Sequence, residues 1–178
     1  MKVRRFVTMI DKDGQALLAS EDTLEQAFQS WPGFSNTLLW ATEGVPVVGA
    51  GRALPEEASV KFLPSAGGSR LLVLTVPPDA TMASPSFDPA AFGAELAQKA
   101  PGFTETFDPQ APGMHTTDTV DYGVVLDGEV WLELDDSKQA RLQPFDVVVQ
   151  NGTRHAWRNK SDRAATLLFV LVGATRSA

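Results

Sequence analysis

The chain has 178 residues, of which 43% are hydrophobic and 21% are charged, and its formal net charge is −7 at pH 7. This length and composition are typical of one globular domain with a substantial core. The acidic charge makes nucleic acid and anionic membrane surfaces unfavourable partners. Because the chain has no cysteine, disulfides, thiolate zinc sites, iron–sulfur clusters and a cysteine nucleophile are excluded.

The N-terminal segment, MKVRRFVTMIDKDG, is basic and then briefly apolar. Its apolar run is shorter than the hydrophobic region of a secretory signal, and no small-residue cleavage site follows it. No stretch approaches the ~20 apolar residues that a membrane span requires. We therefore expect a cytoplasmic protein without a membrane partner.

Residues 1–80 are expected to supply strands and an N-terminal arm to a single domain that spans residues 1–178. The pattern of Val3–Ile10 predicts a strand that ends at a turn. Ser20–Trp31 predicts a short helix, with Asp22 or Thr23 as its cap and Pro32-Gly33 as its end.

Residues 81–113 are rich in proline, alanine, glycine and serine. Within them DPAAFGAELAQKA predicts a helix, because Asp88 can cap it and Pro89 suits its first position. We expect this segment to be an insertion, and either a lid or a plain solvated excursion is compatible with its composition.

Residues 114–172 have a β pattern. The segment VDYGVVLDGEVWLELDD predicts two strands around Asp127-Gly128, and this dipeptide favours a hairpin. The runs DVVVQ and TLLFVLV predict further strands. They are apolar on both faces, so we expect one face to line the barrel and the other to be covered by the N-terminal arm, the inserted helix or a second subunit. Closely spaced strands with turn residues between them are typical of an antiparallel sandwich or barrel.

The chain has two histidines, His115 and His155, and both lie beside short apolar strands. His115 and Asp121 are six residues apart, which is roughly 20 Å along a straight strand. They can therefore share one ion only if the chain bends at Thr116–Thr119. With His155 from a third strand, two imidazoles and one carboxylate would form a 2-His-1-carboxylate metal site with open coordination positions.

The C-terminal third resembles the cupin family, whose first motif reads roughly G-x5-H-x-H-x3-4-E-x6-G and whose second motif ends in G-x2-H-x3-N. His115, Asp121 and Gly128 stand at positions of the first motif. The ending of the second motif is matched by Gly152, His155 and Asn159. The resemblance implies an all-β jelly-roll barrel, with N-terminal strand and helix additions and a short helical insertion. It also implies one divalent ion (Fe, Zn, Mn or Ni) held by His115, Asp121 and His155.

The sequence departs from the family pattern at three positions. Thr117 stands where the first motif has its second histidine, which reduces the expected ligand set to three. Asp121 is one methylene shorter than the glutamate of the motif. Phe145 replaces the glycine that opens the second motif. Thr117 could still hydrogen-bond a metal-bound water.

The leading functional prediction is a metal-dependent enzyme that acts on a small organic molecule, by oxygenase, isomerase, decarboxylase or lyase chemistry. Two alternatives are a non-catalytic small-molecule binder and a metal-free isomerase or epimerase. In the last case His155 and Asp121 would act as acid and base. Thr117, Trp157 and Gln150 are the candidate substrate contacts, and a homodimer is the expected assembly.

Overall fold

A computed structural model describes residues 1–49 and 60–177 of the chain. The chain is mainly β in these ranges, with one α-helix, α1 (Pro89–Lys99), and short 3-10 turns at Asp79–Ala83, Thr104–Thr106 and Asp135–Ser137. The strands are β1 (Val3–Ile10), β2 (Ala16–Leu24), β3 (Ser35–Thr42), β4 (Ser69–Val76), β5 (Thr119–Asp127), β6 (Val130–Glu133), β7 (Gln139–Leu142), β8 (Val147–Asn151), β9 (Ala156–Arg158) and β10 (Ala165–Gly173). The all-β prediction is confirmed.

Two antiparallel sheets enclose the core. One has five strands in the order β3-β4-β10-β5-β8, and the other has three strands in the order β7-β6-β9. Leu167 and Val125 of the larger sheet and Val130 of the smaller sheet belong to one buried cluster. The sheets therefore face each other across a shared apolar interior. The hairpin β1-β2 forms a separate two-stranded sheet.

The predicted hairpin around Asp127-Gly128 is wrong in its pairing, although both strands exist. β5 pairs with β10 and β8, whereas β6 pairs with β7 and β9, so the chain passes from one sheet to the other at this point. Gly128 has a φ of 75° and approaches the backbone of the 164–165 segment so closely that a Cβ would lie 2.6 Å from the Ala164 carbonyl oxygen. A glycine in the left-handed backbone conformation is suited to a corner between sheets as well as to a hairpin turn.

The helix predicted over Ser20–Trp31 is also wrong, because its first half continues the strand Ala16–Leu24. The hairpin partner β1 satisfies this backbone, and Arg5 pairs with Asp22 across the two strands. Phe28 and Trp31, in the second half of this segment, are instead buried outside any helix. The N-terminal addition is therefore made of strands in the described part of the chain.

The helix of the insertion is confirmed as α1, which begins at Pro89. The Asp88 carboxylate accepts hydrogen bonds from the backbone N–H groups of Ala90 and Ala91, as an N-cap does. Phe92 of this helix contacts the rings of Phe28, Trp31 and Phe34 at centroid distances of 5.2–5.8 Å. The insertion is thus packed onto the N-terminal turn rather than extended into solvent.

The outer face of β8, which the sequence predicts to be covered by the arm, the insertion or a second subunit, is exposed in the single chain. Val147 is 67% exposed and Val149 is 53% exposed, and Tyr122 on the neighbouring strand is 51% exposed. Gln150, whose side chain points to the opposite face, is buried. Neither the arm nor the insertion covers this face within the described ranges. No described helix is long and apolar enough to cross a membrane.

Candidate functional site

The two histidines lie directly beside each other at one side of the barrel. Their backbones form an antiparallel bridge, in which the N–H of each donates to the carbonyl of the other at 2.9 and 3.0 Å. The centroids of the two imidazole rings are 4.3 Å apart. Both side chains are buried. The chain therefore brings together two residues that are forty positions apart.

Backbone carbonyls fix the same tautomer in both imidazoles. Nδ1 of His115 lies 3.1 Å from the Gly113 carbonyl oxygen, and Nδ1 of His155 lies 2.9 Å from the Thr153 carbonyl oxygen. A carbonyl oxygen can only accept, so each Nδ1 carries the proton and donates it. Each Nε2 then keeps its lone pair, which is the atom that a proton, a metal or a polar ligand would meet.

Burial keeps both histidines neutral. Burial and, to a smaller extent, the charge of protonated His155 lower the pKa of His115 to about 4, against the Gly113 carbonyl, which raises it. The pKa of His155 is also lowered by burial. At neutral pH both imidazoles are therefore proton acceptors, and the pair resists carrying two protons.

Aromatic rings surround the histidine pair on both sides. Phe107 and Phe103 of the insertion lie 4.9 and 5.3 Å from the His115 ring. On the other side Trp157 meets the His155 ring edge-on at 5.7 Å and continues to Phe169 at 5.4 Å. The insertion thus forms one wall of the site, and Trp157 lies beside His155, as its strand parity predicts.

Asp121 is buried in the barrel but does not join the histidines. It lies on β5, opposite Gln150 of β8, its Oδ1 atom has no hydrogen-bond partner, and neither histidine is among the groups that shift its pKa. In the part of the chain that the structure describes, no group of three or more histidine, aspartate or glutamate side chains is placed to hold a metal ion. The described side chains therefore do not fit the predicted 2-His-1-carboxylate site, and His155 and Asp121 are not assembled as an acid–base pair.

The environment of Asp121 is dry and incompletely hydrogen-bonded. Burial raises its pKa to about 6, and a hydrogen bond from the Thr119 hydroxyl partly opposes this rise. Its Oδ1 atom has no hydrogen-bond partner. Thr117, at the position of the missing histidine, is buried and its hydroxyl lies 2.7 Å from that of Thr119. A chain of hydrogen bonds therefore runs from the Thr117 hydroxyl through the Thr119 hydroxyl to the Asp121 carboxyl.

Gln150 is the third polar residue of the barrel interior. The Thr153 hydroxyl donates to its Oε1 atom, and its Nε2 atom has no partner. The side chain is 3% exposed.

Other motif residues shape the chain rather than face the site. Asn159 is fully buried and its amide donates to the carbonyls of Val76 and Arg163, which ties β4 to the turn before β10. Gly152 has a φ of 59° beside the guanidinium of Arg176. Asn159 therefore serves to satisfy backbone carbonyls, and Gly152 serves to adopt a positive φ.

Sequence reasoning missed Phe103, Phe107 and the role of Arg154. Arg154 joins the insertion to the barrel by pairing with Asp108 and Asp135 at 2.6 Å each. The only sequence signal for the two phenylalanines is their four-residue spacing in GFTETF. This spacing does not indicate that they contact His115, because the contact depends on how the insertion folds back onto the barrel.

Comparison with known proteins shows that residues 103–171 match the model of the cupin domain. The phomopsin biosynthesis cluster protein C' of Diaporthe leptostromiformis is 50% identical over 62 residues, 34% of this chain and 33% of that protein. The oryzines biosynthesis cluster protein J of Aspergillus oryzae is 42% identical over 64 residues, 35% of this chain and 36% of that protein. The cupin-domain-containing oxidoreductase srdB of Neurospora crassa is 39% identical over 67 residues, 35% of this chain and 34% of that protein. The matched region thus spans about a third of the length of these relatives.

Among solved structures, the chain is similar to a cupin 2 conserved barrel domain protein from Salinispora arenicola CNS-205. It is 14% identical, with a TM-score of 0.40 over 79% of this chain and 76% of that chain. A putative ethanolamine utilization protein Q from Salmonella typhimurium is 10% identical, with a TM-score of 0.42 over 98% of this chain and 99% of that chain. Residues 103–171 are therefore similar to a cupin domain, and the two facing antiparallel sheets agree with the all-β jelly roll that the sequence predicts.

Proposed function

We propose that the protein is a cupin enzyme that acts on a small organic molecule, with His115 and His155 as its reacting groups. The observation that supports this most directly is the buried imidazole pair, in which both Nδ1 atoms are held by backbone carbonyls and both Nε2 atoms are left as acceptors. Two relatives are named cupin-domain-containing oxidoreductases, which also favours an enzyme.

The residues suit proton transfer. A neutral imidazole within the barrel accepts a proton from a substrate through Nε2, and the Nδ1 hydrogen bond to a carbonyl stabilises the imidazolium that forms. Because a second proton is disfavoured by the first, the pair holds one proton at a time. Such a pair can remove a proton from one carbon of a substrate and return it to another position, which is isomerase or epimerase chemistry.

A metal-dependent reaction is the second candidate. The two Nε2 lone pairs favour it, because a neutral imidazole nitrogen is a good ligand for Fe, Zn, Mn and Ni. Cupin domains commonly bind a metal. Catalytic zinc sites generally use three protein ligands, and the described residues bring together two. A third ligand would have to come from the substrate or from a different position of Asp121.

The proton-transfer proposal is tested by hydrogen exchange into candidate substrates. Untagged protein is incubated in D₂O with a panel of small carbonyl compounds, and NMR follows deuterium incorporation next to the carbonyl. We expect incorporation that falls at least a hundredfold in His115→Gln and in His155→Gln and survives in Asp162→Asn, an exposed control. Incorporation that persists in both histidine variants would contradict the proposal.

Elemental analysis of the same untagged protein separates the two candidates. A stoichiometric metal that is lost in both histidine variants would support the metal-dependent reaction. Metal-free protein that keeps full exchange activity would support proton transfer alone. If neither exchange activity nor a metal is found, both candidates fail and the remaining function is non-catalytic binding of a small molecule.

A further inference from the structure

Four buried side-chain atoms of the described residues lack a hydrogen-bond partner, and two of them lie together. These two are Oδ1 of Asp121 and Nε2 of Gln150; the others are on Ser35 and Asn36. Asp121 and Gln150 are direct cross-strand partners in the antiparallel pairing of β5 and β8. Side chains opposite each other in such a pair share a face, with Cβ atoms about 4.5–5.5 Å apart.

Both side chains point into the barrel. Along β5 the neighbouring Tyr122 is 51% exposed, whereas Asp121 is 7% exposed, and along β8 Val149 is 53% exposed whereas Gln150 is 3% exposed. The alternation of a strand places these exposed and buried residues on opposite faces. The unpartnered atoms are therefore directed at the interior that the histidine pair also borders.

Neighbouring hydroxyls hold the two groups in position. The Thr153 hydroxyl donates to Oε1 of Gln150, so the amide presents Nε2 to the interior. The Thr119 hydroxyl hydrogen-bonds to the Asp121 carboxyl, whose Oδ1 atom remains unpartnered. Thr119 is itself held by Thr117. The result is one free acceptor beside one free donor, each fixed by a threonine.

Unpaired polar atoms in a protein interior are costly, and native proteins seldom keep them without a water, an ion or a ligand to pair with. A carboxylate oxygen requires a donor, and an amide N–H requires an acceptor. One planar group that offers both, side by side, is a carboxamide, through its N–H and its C=O. A carboxylate would place negative charge against Asp121 and offers no donor.

The geometry points to Asp121 and Gln150 as a recognition pair for a carboxamide group of the small-molecule ligand, with Asp121 accepting from its N–H and Gln150 donating to its carbonyl oxygen. This inference rests on the proposed function only in that the ligand occupies the same barrel. It names the substrate class as primary amides and lactams, whose N–H and C=O lie on the same edge, and not trans peptide bonds, in which these groups point in opposite directions. It assigns Asp121 a role in binding the ligand, rather than a role as a metal ligand or acid–base partner of the histidines.

Three probes of similar size separate the possible contacts. Propionamide offers a donor and an acceptor, N,N-dimethylpropionamide offers only an acceptor, and propionate carries a negative charge. Binding is measured at pH 8 by ligand-observed NMR, and the bound position is found by crystal soaking. We expect wild-type protein to bind propionamide in roughly the millimolar range and at least tenfold more tightly than either other probe.

Variants test whether the pair is responsible. Gln150→Met and Asp121→Asn should each weaken propionamide binding at least tenfold, whereas the exposed controls Gln139→Met and Asp162→Asn should not change it. The double variant Asp121→Asn/Gln150→Glu exchanges the donor and the acceptor, so it should restore binding with the amide turned over. Circular dichroism and the melting temperature establish that each variant is folded.

Three outcomes would overturn the inference. They are equal binding of all three probes, unchanged binding in Gln150→Met, and a buried water between the two residues that saturating propionamide does not displace. Failure of the proposed function gives a different pattern. In that case His115→Gln and wild type are both inactive in hydrogen exchange, yet both bind propionamide alike.

Discussion

At the scale of single residues, Phe145 departs from the cupin motif, and this departure costs backbone energy. It stands where the second cupin motif opens with glycine, and the structure gives it a φ of 73°. Its N–H donates to the Val125 carbonyl at 2.8 Å, so the turn keeps its hydrogen bond despite the unfavourable conformation. The ring does not compensate by packing, because it is 84% exposed.

We expect Phe145→Gly to raise the free energy of unfolding by roughly 1 kcal/mol, since glycine adopts positive φ without the steric penalty of a Cβ. Phe145→Ala is the control, because it removes the ring but keeps the Cβ. Urea unfolding measures both variants. If alanine stabilises the protein as much as glycine does, the exposed ring and not the backbone is the source of the effect.

Asp121 and the histidines give opposite pH dependences to stability. Burial lowers the pKa of His115 from 6.5 to about 4, so in that window the unfolded chain binds a proton that the folded chain does not. Stability then falls as pH falls, by roughly 3 kcal/mol for this shift. Burial raises the pKa of Asp121 from 3.8 to about 6, so the folded chain holds the extra proton there. Stability from this group falls as pH rises.

The pKa of His155 is lowered like that of His115, so Asp121 offsets only part of the histidine effect, and we expect wild-type stability to fall moderately between pH 6 and pH 4.5. Asp121→Asn removes one side of this balance, so it should lose stability steeply over the same acid range. His115→Gln should lose less than Asp121→Asn does. Urea unfolding of the three proteins at several pH values measures this, and parallel curves for all three would contradict the opposing shifts.

At the scale of elements, the C-terminal residues after β10 close one end of the barrel. Arg176 donates to the carboxylate of Asp118 at 2.7 Å and to the carbonyls of Thr117 and Gly152 at 3.0 and 3.2 Å. It thereby joins the segment that carries Thr117 to the turn between Gln150 and His155. At the opposite end of β5, Arg163 pairs with Asp127.

We expect Arg176→Ala to loosen only the end of the barrel that it holds. Amide hydrogen exchange at residues 117–119 and 151–153 should become about tenfold faster, which corresponds to ~1.4 kcal/mol of local opening. Arg163→Ala is the matched control and should leave these amides unchanged while affecting those near Asp127. Uniformly faster exchange in Arg176→Ala would show a global loss of stability instead of a local clamp.

At the scale of the whole molecule, an apolar area on the outer face of the larger sheet remains uncovered. Tyr122, Val147 and Val149 are each more than half exposed and lie on paired strands, with Phe145 beside them in the chain. Contiguous exposed apolar surface of this kind often marks a protein interface. The predicted homodimer would bury this outer face against a second copy.

Sedimentation velocity at micromolar concentration tests this assembly. We expect a dimer for wild type and a monomer for Val149→Glu, because a buried carboxylate without a partner is strongly unfavourable. Val45→Glu is the control, since Val45 is 84% exposed on a different part of the surface. A monomeric wild type, or a Val149→Glu protein that remains dimeric, would rule out this face as the interface.

The sequence predicted most of the strands but not their partners. Alternation and turn residues indicate where β5 and β6 begin and end, yet the same Asp-Gly dipeptide serves a hairpin or a corner between sheets, and only long-range pairing decides. The motif spacing brought out His115 and His155 correctly as neighbours. It could not reveal that Asp121 faces Gln150, because this depends on the register of β5 against β8. The role of Phe103 and Phe107 depends on how the insertion folds back, which local pattern does not encode.

The central claim is that His115 and His155 form a buried neutral pair with both Nε2 atoms available. Because these are the only histidines in the chain, nitrogen-15 NMR of their side chains gives two assignable sets of signals, and each single variant removes one. We predict Nδ1–H tautomers for both rings at pH 7 and midpoints of titration below the ordinary value of about 6.5, with His115 near 4. An Nε2–H tautomer in either ring, or two independent titrations near pH 6.5, would contradict the pair and the function proposed for it.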